Sequence, residues 1–265
     1  IQFTVGSKLA PEGLEAIGAT ELPKFFVIDG VEVPTDVIQR NYDTHVREVK
    51  LGAKLEAASV RKAVANPIVP GVSIGHPNVS AGTVGCVVYD AQSGAPYVLS
   101  NWHINGAAGV IGDTIVQPGK HDDNRVDRNV VGRLVRSHLG IAGDCAIVSI
   151  EQRRLEPKIV DLNVSVGRIG EPELGDKVVK SGRTTDVTYG MVTRIHVTSK
   201  MNYGAAGTHE IGCFEIGPDP DHLPEDGEIS MGGDSGSAWL FVNRNEPTDM
   251  MLGLHFAGEI GDEPE

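Results

Sequence analysis

From Gly82 onward, apolar residues come in short runs separated by glycine-rich turns, the pattern of many short strands. Residues 83–90 and 97–101 flank Ala91-Gln92-Ser93-Gly94-Ala95 and predict a hairpin. Residues 129–135 and 146–150 continue the series. Further on, Met191, Thr193, Ile195 and Val197 alternate with Val192, Arg194, His196 and Thr198. A period of two predicts a half-buried strand. Residues 211–216, 237–242 and 250–256 complete the set. Short strands joined by glycine-rich turns specify a barrel or sandwich.

The first seventy residues follow another pattern. Gln2-Phe3-Thr4-Val5 predicts a strand, and Phe25-Phe26-Val27-Ile28 predicts a second that ends in the turn Asp29-Gly30. Residues 45–64 are rich in Ala, Leu, Lys, Arg and Glu, with Val46, Val49, Leu51, Leu55 and Val60 loosely at helical spacing, although Gly52 weakens that reading. Residues 65–82, with three prolines and several glycines, read as a linker. The expected architecture is mainly β: a small α/β unit over residues 1–70, then barrel units over 71–164 and 165–265.

Composition narrows the function. With 40% apolar residues, 33 glycines and 15 prolines in 265 residues, a turn-rich all-β chain is favoured over a helical one. A net charge of −13 argues against nucleic acid and anionic membrane as partners, since both require a basic face. No apolar run approaches the roughly 20 residues of a membrane span. Cys86, Cys145 and Cys213 are an odd count without motif spacing, which fits a reducing, cytoplasmic setting. Cys86 and Cys145 sit in apolar strands as small core residues, and Cys213 is similar.

The chemistry concentrates in Met231-Gly232-Gly233-Asp234-Ser235-Gly236-Ser237. Gly-Asp-Ser-Gly is a tight turn that holds one serine hydroxyl out of regular structure. Such a hydroxyl becomes a nucleophile when a base takes its proton and backbone amides receive the oxyanion. Upstream, Tyr97-Val98-Leu99-Ser100-Asn101-Trp102-His103 ends an apolar run in a histidine, and Gly143-Asp144-Cys145-Ala146-Ile147-Val148 opens a strand with an aspartate. Candidate roles are His103 as base, Asp144 as its orienter and Ser235 as nucleophile, with Gly233 and Ser235 supplying oxyanion amides. Asp90, Asp113 and Asp161 are alternative acids without the apolar strand that follows Asp144.

The order and spacing of these segments resemble the chymotrypsin-like serine proteases. Lys180-Ser181-Gly182-Arg183-Thr184-Thr185, followed by Gly190-Met191-Val192-Thr193, resembles the hairpin of the bacterial alpha-lytic protease and streptogrisin branch. Pro70-Gly71-Val72-Ser73-Ile74-Gly75-His76 and Leu99-Ser100-Asn101-Trp102-His103 are similar to the NARROW LEAF-related trypsin-like proteins of plants and bacteria. The resemblance spans roughly residues 70 to 258. It implies two six-stranded barrels, a bacterial serine endopeptidase without cofactor, a protein or peptide substrate bound between the barrels, and a homo-oligomer as a further expectation. The family adds a barrel strand and a helix after the position of Gly258; here only residues 259–265 follow, so both are expected to be missing. In animal relatives the counterpart of Asp234 pairs with a new N-terminus made by cleavage. Here 102 residues precede His103, so the expectation is a preformed oxyanion turn with Asp234 held by another internal donor.

Specificity is read from Ile229 and Ser230 at the pocket floor and from His255, Phe256 and Gly258 along its wall. Ile229 stands where trypsin carries its aspartate, which disfavours Lys or Arg at the cleaved position. Gly253-Leu254-His255-Phe256-Ala257-Gly258 resembles the pocket strand of picornavirus-type and glutamyl endopeptidases, implying that His255 with Ser230 meets Glu or Gln. Two alternatives to that preference are a structural His255 and a medium apolar substrate side chain. Alternatives to the enzyme are a catalytically silent scaffold and a self-processing module. His121-Asp122-Asp123-Asn124 and Asp219-Pro220-Asp221-His222 hold ligand-type atoms but read as solvated acidic loops, and no metal is assigned. The N-terminal unit could restrict access, recruit a partner or mediate assembly, and its sequence does not rank these roles.

Overall fold

The structure is a computed structural model that describes residues 1–44, 59–106 and 110–259. The described residues divide into two units: Ile1–Asp43 together with Glu259, and those within Thr44–Gly258. In the smaller unit, Gln2–Val5 and Asp36–Gln39 pair in parallel, Gln2 opposite Asp36 and Val5 opposite Gln39. A parallel pair needs a crossover connection. This one carries the helix Pro11–Ala16 and the hairpin Phe25–Ile28 with Val31–Pro34. Asp29 and Gly30 both have positive φ, 50° and 80°, as a two-residue hairpin turn with right-handed strand twist requires. Both strands expected from sequence therefore form, as does the turn. The helix expected over 45–64 falls mostly outside the described residues; Val60–Lys62 is one 3-10 turn.

The larger unit is built on two sheets. One runs in the spatial order Thr114–Val116, Val130–Gly140, Gly143–Val148, Pro96–Ser100, Cys86–Tyr89. The other runs Arg168–Ile169, Glu246–Leu254, Ala238–Asn243, Lys177–Gly182, Asp186–Asn202, Thr208–Pro218. The hairpin predicted around residues 91–95 joins Cys86–Tyr89 to Pro96–Ser100. Asp90 Oδ1 closes its turn by accepting from the Gln92 and Ser93 amides and the Ser93 hydroxyl.

Residues 65–82 depart from expectation. They are no linker: Ile68, Val72 and Ile74 have no exposure and join Val84, Val98, Ile104, Ile115, Leu134 and Val148 in the first core. Prolines and glycines there mark bends between short buried segments, of which Ser73–Ile74 pairs with Gly82–Thr83. A second cluster mixes residues of both sheets, Cys86 with Val179, Leu240, Val242 and Met251. Val178, Val192, Trp239 and Leu252 form a third within the second sheet.

The alternating strand is also subtler than its sequence. Thr188, Gly190 and Val192 are buried, rather than Met191 and Thr193. Register shifts follow between Val192 and Val197, and His196 takes φ 53°. An irregularity of this kind exchanges the faces of a strand. Ile195 and Val197 are half-buried while His196 and Thr198 are exposed, and the strand runs on to Asn202.

Candidate active site

His103 lies in the short helix Trp102–Asn105, directly after the strand Pro96–Ser100. Asp144 lies at the start of the neighbouring strand Gly143–Val148. The pairing of Ser100 with Ala146 brings the two together. His103 Nδ1 is 2.5 Å from Asp144 Oδ2, while Asp144 Oδ1 accepts from the amides of Trp102 at 2.6 Å and His103 at 3.2 Å. Asn101 Nδ2 donates to the Asp144 carbonyl at 2.8 Å, fixing the backbone beneath the carboxylate. Nδ1 is therefore the protonated nitrogen facing an acid, which leaves Nε2 as the basic one.

Ser235 comes from the second half of the unit. Gly233 and Gly236 around it have φ 101° and 94°, conformations that glycine adopts without a steric penalty. Four contacts fix the peptide planes of the turn. The Gly232 carbonyl accepts from Thr184 Oγ1 at 2.8 Å, and the Gly233 carbonyl accepts from Thr83 Oγ1 at 2.8 Å. The Asp234 carbonyl accepts from the Ser237 hydroxyl at 2.7 Å, and the Ser235 carbonyl accepts from the Thr83 amide at 2.7 Å. In a trans peptide the N–H points opposite to the C=O. The Gly233 N–H thus points away from Thr184, and the Ser235 N–H away from Ser237. Among the described residues neither N–H donates to a protein acceptor.

Asp234 lies behind the turn, and both it and Lys180 have fully buried side chains. Lys180 Nζ approaches Asp234 Oδ2 at 3.3 Å. Thr185 Oγ1 and the Met231 amide donate to the same oxygen at 2.7 and 3.0 Å, and the amides of Thr184 and Thr185 donate to Oδ1 at 2.8 and 3.2 Å. Burial pushes the Asp234 carboxyl upward, but the Lys180 charge and these donors outweigh it and hold the acid below the usual range. Burial lowers Lys180, with Asp234 opposing the shift. Lys180 is the internal donor expected for Asp234; the Ile1 ammonium instead donates to the Pro34 carbonyl at 2.7 Å. Arg183 adds a further brace, pairing with Asp122 and donating to Thr184 Oγ1 at 2.9 Å.

The remaining sequence candidates fall around this centre. The Ile229 carbonyl accepts from Thr188 Oγ1 at 2.7 Å, and its side chain packs against the third core cluster. Ser230, Phe256 and Gly258 are half-buried. The His255 amide donates to the Ser237 carbonyl, its carbonyl accepts from Gly236, and its ring meets the Trp239 ring edge-on at 6.3 Å. The two acidic loops spend their ligand-type atoms internally: Asp122 on Arg183, Asp123 on Arg125, and Asp219 on Lys177 and His222. No metal-ligating group of three forms among the described residues. Cys86 is buried, with its thiol pushed up to about 12 by burial, and burial likewise raises Cys213 to about 11. Sequence reasoning missed Lys180, Thr83 and Tyr203, which bond to Asp234, the Gly233 carbonyl and Asp144 respectively. Lys180 follows Val178 and Val179 in the strand Lys177–Gly182, but Lys177 and Ser181 in the same strand are polar too, so local composition does not single it out.

No family model matches the chain, and no curated protein matches it in sequence. Solved structures do match. A structure described as a glutamic acid specific serine protease that uses a novel histidine triad in substrate binding is 22% identical, with a TM-score of 0.50 over 71% of this chain and 84% of that one. Nocardiopsis protease is 18% identical, with a TM-score of 0.49 over 71% and 82% of the two chains. Thermobifida fusca protease A is 20% identical, with a TM-score of 0.47 over 71% and 81%. The fold is that of the chymotrypsin-like serine proteases, mainly β and built on two barrels.

Replacing Lys180 with Met should cost about 3–5 kcal/mol in urea unfolding, because Asp234 would stay buried without its cation. Lys180→Met with Asp234→Asn should recover much of that loss; a single variant as stable as the wild type would contradict the arrangement. Because Asp234 ionises at lower pH in the folded chain, its stabilisation is complete above the unfolded value of about 4 and disappears as pH falls through the folded value. The wild-type urea midpoint should therefore drop more steeply below pH 4 than that of Asp234→Asn.

Proposed function

We propose that this chain is a serine endopeptidase in which Ser235 attacks the peptide carbonyl, His103 moves the proton and Asp144 orients His103. The observation that carries the reading is the 2.5 Å contact between His103 Nδ1 and Asp144 Oδ2. It commits one ring nitrogen to the acid and leaves Nε2 to accept the Ser235 proton and return it to the leaving amine. The Gly233 and Ser235 amides receive the oxyanion; loss of one such donor typically lowers turnover about 100- to 1000-fold. Because Lys180 supplies the buried cation for Asp234, the turn is competent without an upstream cut. The phrases around Val72 and His103 favour a relative of the NARROW LEAF-related trypsin-like proteins. The three free cysteines favour a cytoplasmic setting.

For specificity, the reading is Glu or Gln at the cleaved position, with Ser230 and His255 as the polar groups of the pocket and Phe256 and Gly258 along its wall. Ile229 supplies no carboxylate for a basic side chain. A second reading, a protease-fold scaffold, is favoured by one observation. Ser235 has no exposure and His103 only 4%, and neither Ser235 Oγ nor His103 Nε2 has a hydrogen-bond partner among the described residues. For the enzyme reading, these two atoms must meet when substrate enters.

A fluorophosphonate probe separates the two readings. The protease should be labelled once, and both Ser235→Ala and His103→Ala should abolish labelling. A folded wild type that resists the probe would favour the scaffold. Peptide kinetics with Glu, Gln, Leu and Arg at the cleaved position should rank Glu and Gln first; a preference for Leu would remove His255 from the pocket.

A further inference from the structure

The Asp144 carboxylate receives a fourth hydrogen bond, and it comes from the other half of the molecule. The strands Asp186–Asn202 and Thr208–Pro218 form a long hairpin, whose end reaches the first sheet through the Gly212 amide and the Ile141 carbonyl at 3.1 Å. At its tip Tyr203 donates from its hydroxyl to Asp144 Oδ2 at 3.0 Å. The tip is tied down: the Tyr203 amide donates to the Gly207 carbonyl at 2.8 Å, and Asn202 Oδ1 accepts from the Gly204 amide at 2.9 Å. The phenol ring packs edge-on against Trp102 at 5.9 Å and against His209 at 6.0 Å, with the His103 ring 6.3 Å away.

A carboxylate has about four acceptor positions. Two on Asp144 are filled by the amides of Trp102 and His103, one by His103 Nδ1 and the last by Tyr203. We infer that Tyr203 is a positioning residue for the triad, holding Asp144 Oδ2 on the His103 ring and excluding water from the remaining acceptor position. The inference rests on the reading of His103 and Asp144 as base and orienter. Tyr203 is the one donor to this carboxylate that the second half of the molecule supplies among the described residues, so the orientation of the acid depends on where the hairpin tip sits. Burial, with the Asp144 charge adding to it, pushes the phenol above its ordinary range. The hydroxyl therefore stays a donor throughout the pH range in which a serine protease works. The other titratable groups around the pair are His103, which shares the carboxylate, His209 and Cys213 on the hairpin, and Cys145 beside Asp144.

Tyr203→Phe removes the hydroxyl and keeps the ring, so it tests the bond rather than the packing. In the full-length variant, the downfield Nδ1–H resonance of His103 should shift and its exchange with water should accelerate. Fluorophosphonate labelling should slow about tenfold or more, the effect of losing a hydrogen bond to a charged group. With Asp144→Asn as background, Tyr203→Phe should have little further effect on the labelling rate. An unchanged resonance and exchange rate in a folded Tyr203→Phe protein would overturn the inference. So would an equal loss of labelling in both backgrounds, which would place the action of Tyr203 elsewhere. The resonance comparison needs no turnover. A wild type that never labels would defeat the protease reading, while the resonance would still decide the role of Tyr203.

Discussion

The arrangement of the turn that carries Ser235 depends on one buried ion pair. An aspartate and a lysine without exposure are costly to desolvate, and the pair is tolerable only when geometry and extra donors satisfy both groups. Asp234 receives five donors besides its own backbone bonds: one ammonium, one hydroxyl and three amides. These donors come from the strand and turn spanning Lys180 to Thr185 and from Met231, so satisfying the charge also ties the Ser235 turn to that hairpin. Gly182 has no Cβ, which is why the carboxylate can lie against it; an added Cβ would collide with Asp234 Oδ1.

The same turn is held from the first half of the unit, by the short strand Gly82–Thr83. Thr83 binds the Ser235 carbonyl through its amide and the Gly233 carbonyl through its hydroxyl. Gly236 packs where a side chain would strike Ser100 and the Thr83 carbonyl. Tyr203 makes the reciprocal connection, from the second sheet to the acid of the first. Each half therefore braces part of the candidate site that lies in the other. The Cys86, Val179, Leu240 and Met251 cluster between them is thus a determinant of site geometry as well as of stability.

Much of this was legible in the residue pattern. The hairpin around Gly94, the strand after Asp144 and the glycine-flanked Ser235 follow from local rules of alternation and turn chemistry. His103 ends one apolar run and Asp144 opens another, and the structure brings the two side chains to 2.5 Å of each other. What stayed hidden is nonlocal. Residues 65–82 looked like a linker because prolines and glycines dominate, yet Ile68, Val72 and Ile74 fill the first core. The face exchange near His196 depends on pairing irregularities that no alternation encodes. Lys180 as the cation for Asp234, and Tyr203 as a donor to Asp144, join residues far apart in the chain that only the fold brings together.

On the proposed reading, the uncut chain forms a competent acylation site once substrate enters. Burst kinetics with a p-nitrophenyl ester test this most directly, with mass spectrometry confirming that the protein is intact. The expected result is a burst near one equivalent of p-nitrophenol per chain, lost in Ser235→Ala. A burst that develops only after cleavage within the residues preceding Gly82, or none from the folded wild type, would contradict it.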